Sequence, residues 1–210
     1  PWIIVGHSIG AALNLLSLQA GETRFAGALL SSPMLRVKTG KHSMWSVKLA
    51  VRWNIRHGKA GDYVLDEPDD PFGHTFEKDA LTSDEGRYEL WRQQMYACPH
   101  LAIGGTTWGW LAFALDAGER ALKLKALKSV RIPVTVVQAA DDDRVWKQTS
   151  RWATKRLPHG RYVEIGGAQH EVLMERDDLR AEAFREFEAL AERVAPAGAE
   201  QNRVELEAAG

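Results

Sequence analysis

Residues 2–12 of the chain read WIIVGHSIGAA and contain the strongest indication of its fold. Four apolar residues, typical of a parallel strand buried on both faces, lead into a Gly-x-Ser-x-Gly turn and then into a helix rich in Ala and Leu. The pattern predicts a nucleophile elbow made of Gly6, His7, Ser8 and Gly10, which lifts the Ser8 hydroxyl above the sheet. We expect a Cβ at either glycine to collide with the following helix. The alternative is an ordinary strand-to-helix turn whose serine caps the helix.

A nucleophilic serine needs a base, and the base needs an orienting acid. Residues 132–138 and 161–165 have the apolar pattern of two further strands. His170 follows the second of them, and Asp141, Asp142 and Asp143 follow the first. Because catalytic groups of open α/β sheets gather at the carboxyl ends of the strands, these residues are expected to approach Ser8.

The order along the chain is therefore Ser, Asp, His, with His170 as the predicted base. The acid is less determined, since the spacing of three adjacent aspartates does not show which side chain turns inward. Asp143 is the preferred acid.

Several segments resemble the α/β-hydrolase superfamily, and within it the bacterial lysophospholipases and monoacylglycerol lipases. They are the elbow at 6–10 and the segments 29–35, 81–88, 104–110 and 170–177. In that family the acid precedes an Arg-Val-like pair, which carries over to Asp143 before Arg144 and Val145. This loop holds an extra acidic residue compared with the usual pattern, so Asp142 stays an alternative.

The resemblance implies an α/β fold with a mostly parallel sheet and a helical lid. It also implies a serine hydrolase that cleaves carboxylic esters of lipids, lysophospholipids or monoacylglycerols, through an acyl-serine intermediate. Ser8 would attack the carbonyl, His170 would take its proton, Asp143 would orient the imidazole, and the Ile9 amide would face the oxyanion. No metal or cofactor is expected. The alternatives are a small-ester esterase or a serine aminopeptidase-like enzyme and, in a different class, a non-catalytic fragment or binding module.

A second oxyanion donor normally comes from a loop after an earlier strand, and no such strand precedes Trp2. We therefore expect the sequence to be an amino-terminally truncated piece of an active parent enzyme. The first strand would then be an exposed apolar edge, prone to aggregation, and the 210 residues alone would be inactive or poorly folded.

Sheet-type patterning falls into two groups separated by a helical and loop-rich stretch. The predicted division is a first core part at 1–36, a lid at 37–129, a second core part at 130–195 and a flexible tail at 196–210. Helices are predicted near 43–57, 83–97, 107–127 and 177–194. Thr82 to Glu85 has the sequence of a capping box at the start of the second helix. Residues 66–71 are expected to form a solvated loop rather than a cation site.

The first lid helix is predicted to be basic and amphipathic. Lys48, Arg52 and Arg56 recur at four-residue spacing beside an apolar stripe of Trp45, Leu49 and Trp53. Such a helix can lie on an anionic membrane surface, and the alternative is that its apolar stripe packs on the core. A second apolar group is a candidate acyl pocket: Trp108, Trp110, Leu111, Phe113, Ala114 and Leu115.

Composition agrees with a globular enzyme. A chain of 210 residues with 45% hydrophobic content can bury a substantial core, and a net charge of -1 gives no general reason to bind nucleic acid. The single Cys98 excludes an internal disulfide framework. A cytoplasmic location is expected, with attachment to the inner membrane surface left open.

Overall fold

The computed structural model describes residues 1–64, 70–73, 75–76 and 81–196. The strands are β1 Trp2–His7, β2 Phe25–Ser31, β3 Val134–Ala139 and β4 Gly160–Ile165. The helices are α1 Ser8–Gln19, α2 Met44–Arg56, α3 Glu85–Ala97, α4 Trp108–Ala121, α5 Leu124–Ser129, α6 Lys147–Thr154 and α7 Asp177–Val194. Two short 3₁₀ helices span Pro99–Leu101 and Val172–Met174.

The four strands form one parallel sheet in the order β1-β2-β3-β4, as the sequence predicts. The register pairs His7 with Ser31 and Ser31 with Val137, while Ala139 pairs with Ile165 on the next strand. The carboxyl ends of all four strands therefore meet at one edge of the sheet. The predicted elbow, acid loop and histidine loop all begin at that edge.

Both faces of the sheet are covered, which explains why β3 is buried along its whole length. Alternate residues of each strand point to opposite faces. Leu30 and Val136 pack in a cluster with α1 and α5, whereas Leu29 and Val137 pack in a second cluster with α7. The near-continuous apolar runs in the sequence follow from this two-sided burial.

Within the described residues, β1 is an edge strand whose one partner is β2. Two apolar side chains of this strand face solvent, Trp2 at 76% and Val5 at 45% of their full exposure. The expected exposure of apolar side chains on the elbow strand is therefore observed. Edges of this kind are sites where further strands or other chains pair.

The segment between β2 and β3 is helical, but the predicted helix at 107–127 is wrong as a single helix. The chain is helical as far as the C-cap Leu122, and Lys123 is extended, with φ -63° and ψ 122°. This change of direction lets Leu127 of α5 pack in the main core beside α1, together with Ala121 of α4. Two residues from the segment assigned to the lid thus belong to the packing of the core, and the lid boundaries at 37 and 129 stay a prediction.

The capping box predicted at 82–85 is also wrong. Asp84 is the N-cap of α3, and its side chain accepts a hydrogen bond from the Arg87 amide. The hydroxyl of Thr82 instead accepts the Asp84 amide and donates to the Met174 carbonyl. The side chains before α3 are therefore used for contacts with a distant loop.

Among the described residues, no helix combines the length and apolar character that crossing a membrane requires. Most of the predicted loop at 66–71 and nearly all of the predicted tail at 196–210 lie outside the described residues.

Candidate active site

The turn between β1 and α1 has the strained geometry of a nucleophile elbow. Ser8 has a φ of +52°, in the left-handed region that non-glycine residues rarely occupy. Its carbonyl accepts a hydrogen bond from the Met34 amide at 2.9 Å, which ties the turn to the loop after β2. A Cβ on Gly6 would lie 2.4 Å from Nδ2 of Asn14 and 2.9 Å from the Ala11 backbone. Gly6 is therefore required because α1 passes directly over it.

The expected collision of an added Cβ with the helix is wrong for Gly10. A Cβ built on Gly10 meets nothing within 4 Å. Gly10 lies in the first turn of α1, and its φ is not positive, so neither space nor conformation demands a glycine there.

Three side chains converge at the carboxyl edge of the sheet. His170 Nε2 lies 2.9 Å from Ser8 Oγ, and His170 Nδ1 lies 2.9 Å from Asp142 Oδ2. His170 is 4% exposed, so its ring is held in place by packing as well as by the two contacts. The geometry is that of a serine paired with a base that an acid orients.

The acid that contacts His170 is Asp142, and the preference for Asp143 is corrected. Asp142 Oδ1 accepts the amides of Arg144 at 2.9 Å and Val145 at 3.0 Å, and these bonds turn its carboxylate into the protein. The Asp143 side chain is half exposed and lies 3.2 Å from the Arg144 guanidinium. The extra acidic residue of this loop therefore stands at 143, on the solvent side.

Burial disfavours the ionised form of Asp142, yet its pKa is lowered from the ordinary value. The hydrogen bond and charge of His170 outweigh the burial, and the two amides that follow Asp142 add to the effect. The carboxylate is thus ionised whenever the protein is near neutral pH, as an orienting acid must be.

Two residues around Asp142 were missed at the sequence level. Gln138, fully buried at the end of β3, donates from Nε2 to Asp142 Oδ2 at 2.9 Å. Lys38 donates from Nζ to the Asp142 carbonyl at 2.6 Å. An amide side chain in a mainly apolar strand is a sequence signal for Gln138, whereas nothing near Lys38 in the sequence indicates its partner.

A second histidine lies beside the first. His7 meets the His170 ring edge-on, with ring centroids 4.8 Å apart. Its Nε2 lies 3.1 Å from Glu171 Oε1. Burial works against ionisation of Glu171, but the neighbouring His7 outweighs it and lowers the pKa of this carboxyl. His7 therefore contacts both the His170 ring and the carboxyl group of the residue that follows it.

A cleft of about 460 Å³ opens over His170. Its apolar wall comes from Met34, Val37, Leu81, Trp91, Met95, Ile103 and Trp110. Of the predicted acyl-pocket residues only Trp110 lies in this wall. Ala114 and Leu115 line a separate pocket between α2 and α4, and Phe113 is half exposed, because α4 turns a different face to the cleft. The candidate acyl pocket is therefore formed by α3, by the loop after β2 and by residues 103–106 before α4.

Ile9 is the second residue of α1, so its amide has no acceptor within the helix. Its assignment to the oxyanion stays a prediction.

A parallel sheet that carries a serine elbow, an acid loop and a histidine loop at one edge defines an α/β hydrolase. Within that class, the chain belongs to the family described as serine aminopeptidase, S33, which matches residues 1–177.

The chain is similar in sequence to two bacterial proteins. It is 26% identical over 182 residues to the probable lysophospholipase L2 of Haemophilus influenzae and 27% identical over 196 residues to lysophospholipase L2 of Escherichia coli K12. The matches include 87% and 88% of this chain but 56% of each relative. The chain thus spans little more than half the length of these curated relatives.

Two solved structures share the fold. A monoacylglycerol lipase of Paleococcus ferrophilus superimposes with a TM-score of 0.63 at 20% identity, over 90% of this chain and 68% of the lipase. A soluble variant of the monoglyceride lipase of Saccharomyces cerevisiae, in complex with a substrate analogue, gives 0.69 at 17% identity, over 93% of this chain and 63% of the lipase.

Proposed function

We propose that the protein is a serine hydrolase that cleaves carboxylic esters of lipids, lysophospholipids or monoacylglycerols, through an acyl-serine intermediate. The observation that carries the proposal is the unbroken chain of contacts from Ser8 through His170 to Asp142. Each link has the length of a good hydrogen bond, and each group has the chemistry its position requires.

In the proposed reaction, His170 Nε2 accepts the Ser8 proton while Ser8 Oγ attacks the ester carbonyl. Asp142 accepts the hydrogen bond from the proton on His170 Nδ1, which leaves Nε2 free to act as the base, and stabilises the imidazolium that forms. The Ile9 amide donates to the oxyanion. His170 then returns the proton to the departing alcohol, and water, activated by the same base, releases the acid from Ser8.

The lipid substrate is supported by the walls of the cleft and by the names of the similar proteins. Trp91 and Met95 of α3 and Met34 after β2 provide apolar surface in the same cleft as His170. Burying an acyl chain against such a surface contributes about 0.8 kcal/mol per methylene. Two relatives are named lysophospholipases, and two structural neighbours are monoacylglycerol or monoglyceride lipases.

The test, made on the protein in the form that its organism produces, is a substrate panel with monoacylglycerols, lysophospholipids, short-chain esters and aminoacyl esters. We expect kcat/KM to rise with acyl length among the lipid esters, with Ser8→Ala as the inactive control. Faster turnover of aminoacyl esters would instead favour the serine aminopeptidase alternative. Short esters preferred over long ones would favour the small-ester esterase. Failure of every ester would favour the non-catalytic alternative.

We also propose that α2 contacts an anionic membrane surface. The outer face of this helix exposes Trp45, Leu49 and Trp53, whereas Val51 is buried on its inner face, which packs on α4. The apolar stripe therefore does not cover the core. Interfacial tryptophans beside basic residues are typical of helices that bind membrane surfaces.

Two of the three basic residues of α2 support this placement. Lys48 forms an ion pair with Glu119 of α4, whereas Arg52 and Arg56 have no carboxylate partner among the described residues. A basic side chain near anionic headgroups contributes about 1 kcal/mol, and the cytoplasmic leaflet is anionic, so we propose the inner membrane surface as the location.

Sedimentation with vesicles tests whether α2 binds a membrane or is merely exposed to solvent. We expect binding to phosphatidylglycerol vesicles that weakens at high salt and in the Arg52→Gln/Arg56→Gln variant. A matched control is Arg156→Gln, whose guanidinium stacks on Trp152 of α6. Equal binding by the wild-type protein, the double variant and the Arg156→Gln control would contradict the proposal that α2 contacts the membrane.

A further inference from the structure

Glu175 is a buried acidic residue that the proposed reaction does not use. It is fully buried, and its carboxylate receives four hydrogen bonds. Oε1 accepts the amides of Ser83 at 3.0 Å and Gln169 at 2.8 Å. Oε2 accepts the Ser83 hydroxyl at 2.5 Å and the Arg176 amide at 3.2 Å. A buried carboxyl group whose two oxygens are satisfied in this way holds its donors in fixed positions.

The donors belong to two parts of the chain that lie far apart in sequence. Gln169 immediately precedes His170, so the carboxylate holds the backbone beside the proposed base. Ser83 stands just before α3, whose residues Trp91 and Met95 form part of the wall of the cleft. A single side chain thus touches both the catalytic loop and the start of the helix that faces the acyl chain.

Further contacts join the same two segments around Glu175. The Leu81 carbonyl accepts the Glu171 amide at 2.7 Å, and the Thr82 hydroxyl donates to the Met174 carbonyl at 2.8 Å. Arg87 of α3 donates to the Glu175 carbonyl at 2.6 Å and pairs with Asp177 at 2.5 Å. These bonds explain why the hydroxyls of residues 82 and 83 do not form a capping box.

We propose that Glu175 is a positioning residue that sets the alignment of His170 and the placement of the α3 wall together. The histidine loop and the start of α3 then move as one unit. The inference rests on the proposed function, because it assigns His170 as the base. Misplacement of a catalytic group by about 1 Å costs about 10²-fold in rate.

Two variants separate the contacts that Glu175 makes with the histidine loop from those that it makes with the start of α3. Glu175→Gln keeps the length of the side chain but places an amide group, a donor, among four donors. The double variant Thr82→Val/Ser83→Ala removes the hydroxyl contacts on the α3 side and leaves the Gln169 amide bonded to the carboxylate. Glu188→Gln, on the exposed face of α7, is the matched control for loss of one charge.

The kinetic readout is the split between kcat and KM on p-nitrophenyl acetate and decanoate. We expect Glu175→Gln to lower kcat on acetate about tenfold to a hundredfold, since that step depends on His170, and to raise KM on decanoate. The double variant should raise KM on decanoate and keep kcat on acetate within about twofold. If Glu175→Gln lowers stability alone and leaves both constants at the level of the Glu188→Gln control, Glu175 is merely structural and the proposal is overturned.

Backbone hydrogen exchange tests the coupling without relying on activity. In Glu175→Gln, peptides from 166–176 and from 81–97 should both exchange faster, whereas peptides from α6 should not change. Faster exchange in one of the two segments alone would refute the coupling. If the wild-type protein, in the form that its organism produces, hydrolyses no ester, the proposed function fails, and the exchange result still decides whether Glu175 joins the two segments.

Discussion

Replacing Asp142 with asparagine should nearly abolish turnover while leaving the protein folded. In the Asp142→Asn variant the side-chain carbonyl oxygen would keep the position of Oδ1 and accept the amides of Arg144 and Val145, as the carboxylate does. The new NH₂ group would take the position of Oδ2 and face two donors, Gln138 Nε2 and His170 Nδ1. Gln138 can adapt by rotating its amide, because its own buried Oε1 has no hydrogen-bond partner among the described residues.

The cost then falls on His170. To accept from the new NH₂ group, the imidazole must carry its proton on Nε2, the nitrogen that lies 2.9 Å from Ser8 Oγ. A protonated Nε2 cannot take the serine proton. The corresponding Asp-to-Asn change in another serine hydrolase lowers kcat about 10⁴-fold, which corresponds to about 5.5 kcal/mol of transition-state stabilisation.

The assay is kcat on p-nitrophenyl butyrate, with urea unfolding as a check on the fold. The matched control is Asp143→Asn, which removes an exposed pair with Arg144 worth about 0–1 kcal/mol and should leave kcat within about threefold. An Asp142→Asn enzyme within tenfold of wild type, or an Asp143→Asn enzyme that loses a thousandfold, would refute the assignment of the acid.

Two further predictions concern stability. Gly6→Ala should lower the free energy of unfolding by about 3 kcal/mol or more, because its Cβ would strike the Ala11 backbone, whereas Gly10→Ala should stay within about 1 kcal/mol of wild type; urea denaturation measures both. Lowering the pH should reduce the free energy of unfolding more in the wild-type protein than in the Asp142→Asn variant. The pKa of Asp142 is lowered on folding, so its contribution is present above the unfolded value of about 3.9 and is lost as pH falls through the folded value. Urea midpoints measured about one pH unit above and below that unfolded value test this, and equal losses in the two proteins would contradict it.

The sheet and the elbow were predictable because they depend on local pattern. Buried parallel strands read as apolar runs, and Gly6 and Ser8 satisfy a turn that few other residues permit. His170 was predictable because it follows the last strand of the sheet, at the edge where Ser8 lies.

The acid was not predictable, because the choice between Asp142 and Asp143 depends on which side chain meets the amides two and three residues ahead. Nor did local pattern reveal Glu175, whose partner Ser83 lies 92 positions away. The same reason explains the mistaken capping box, since the hydroxyls before α3 bind partners that a local pattern does not contain. The start of α4 was predicted correctly, but its amphipathic pattern did not show that the cleft would be lined by Trp110 alone of the predicted acyl-pocket residues.

The proposed mechanism requires His170, oriented by Asp142, to make Ser8 a nucleophile. Its most direct test is labelling with a fluorophosphonate, followed by mass spectrometry of the modified peptide. We expect one adduct, on Ser8, that is absent in Ser8→Ala and forms at least about a hundredfold more slowly in His170→Ala. An unlabelled Ser8 in the folded protein, or labelling that proceeds equally fast without His170, would contradict it.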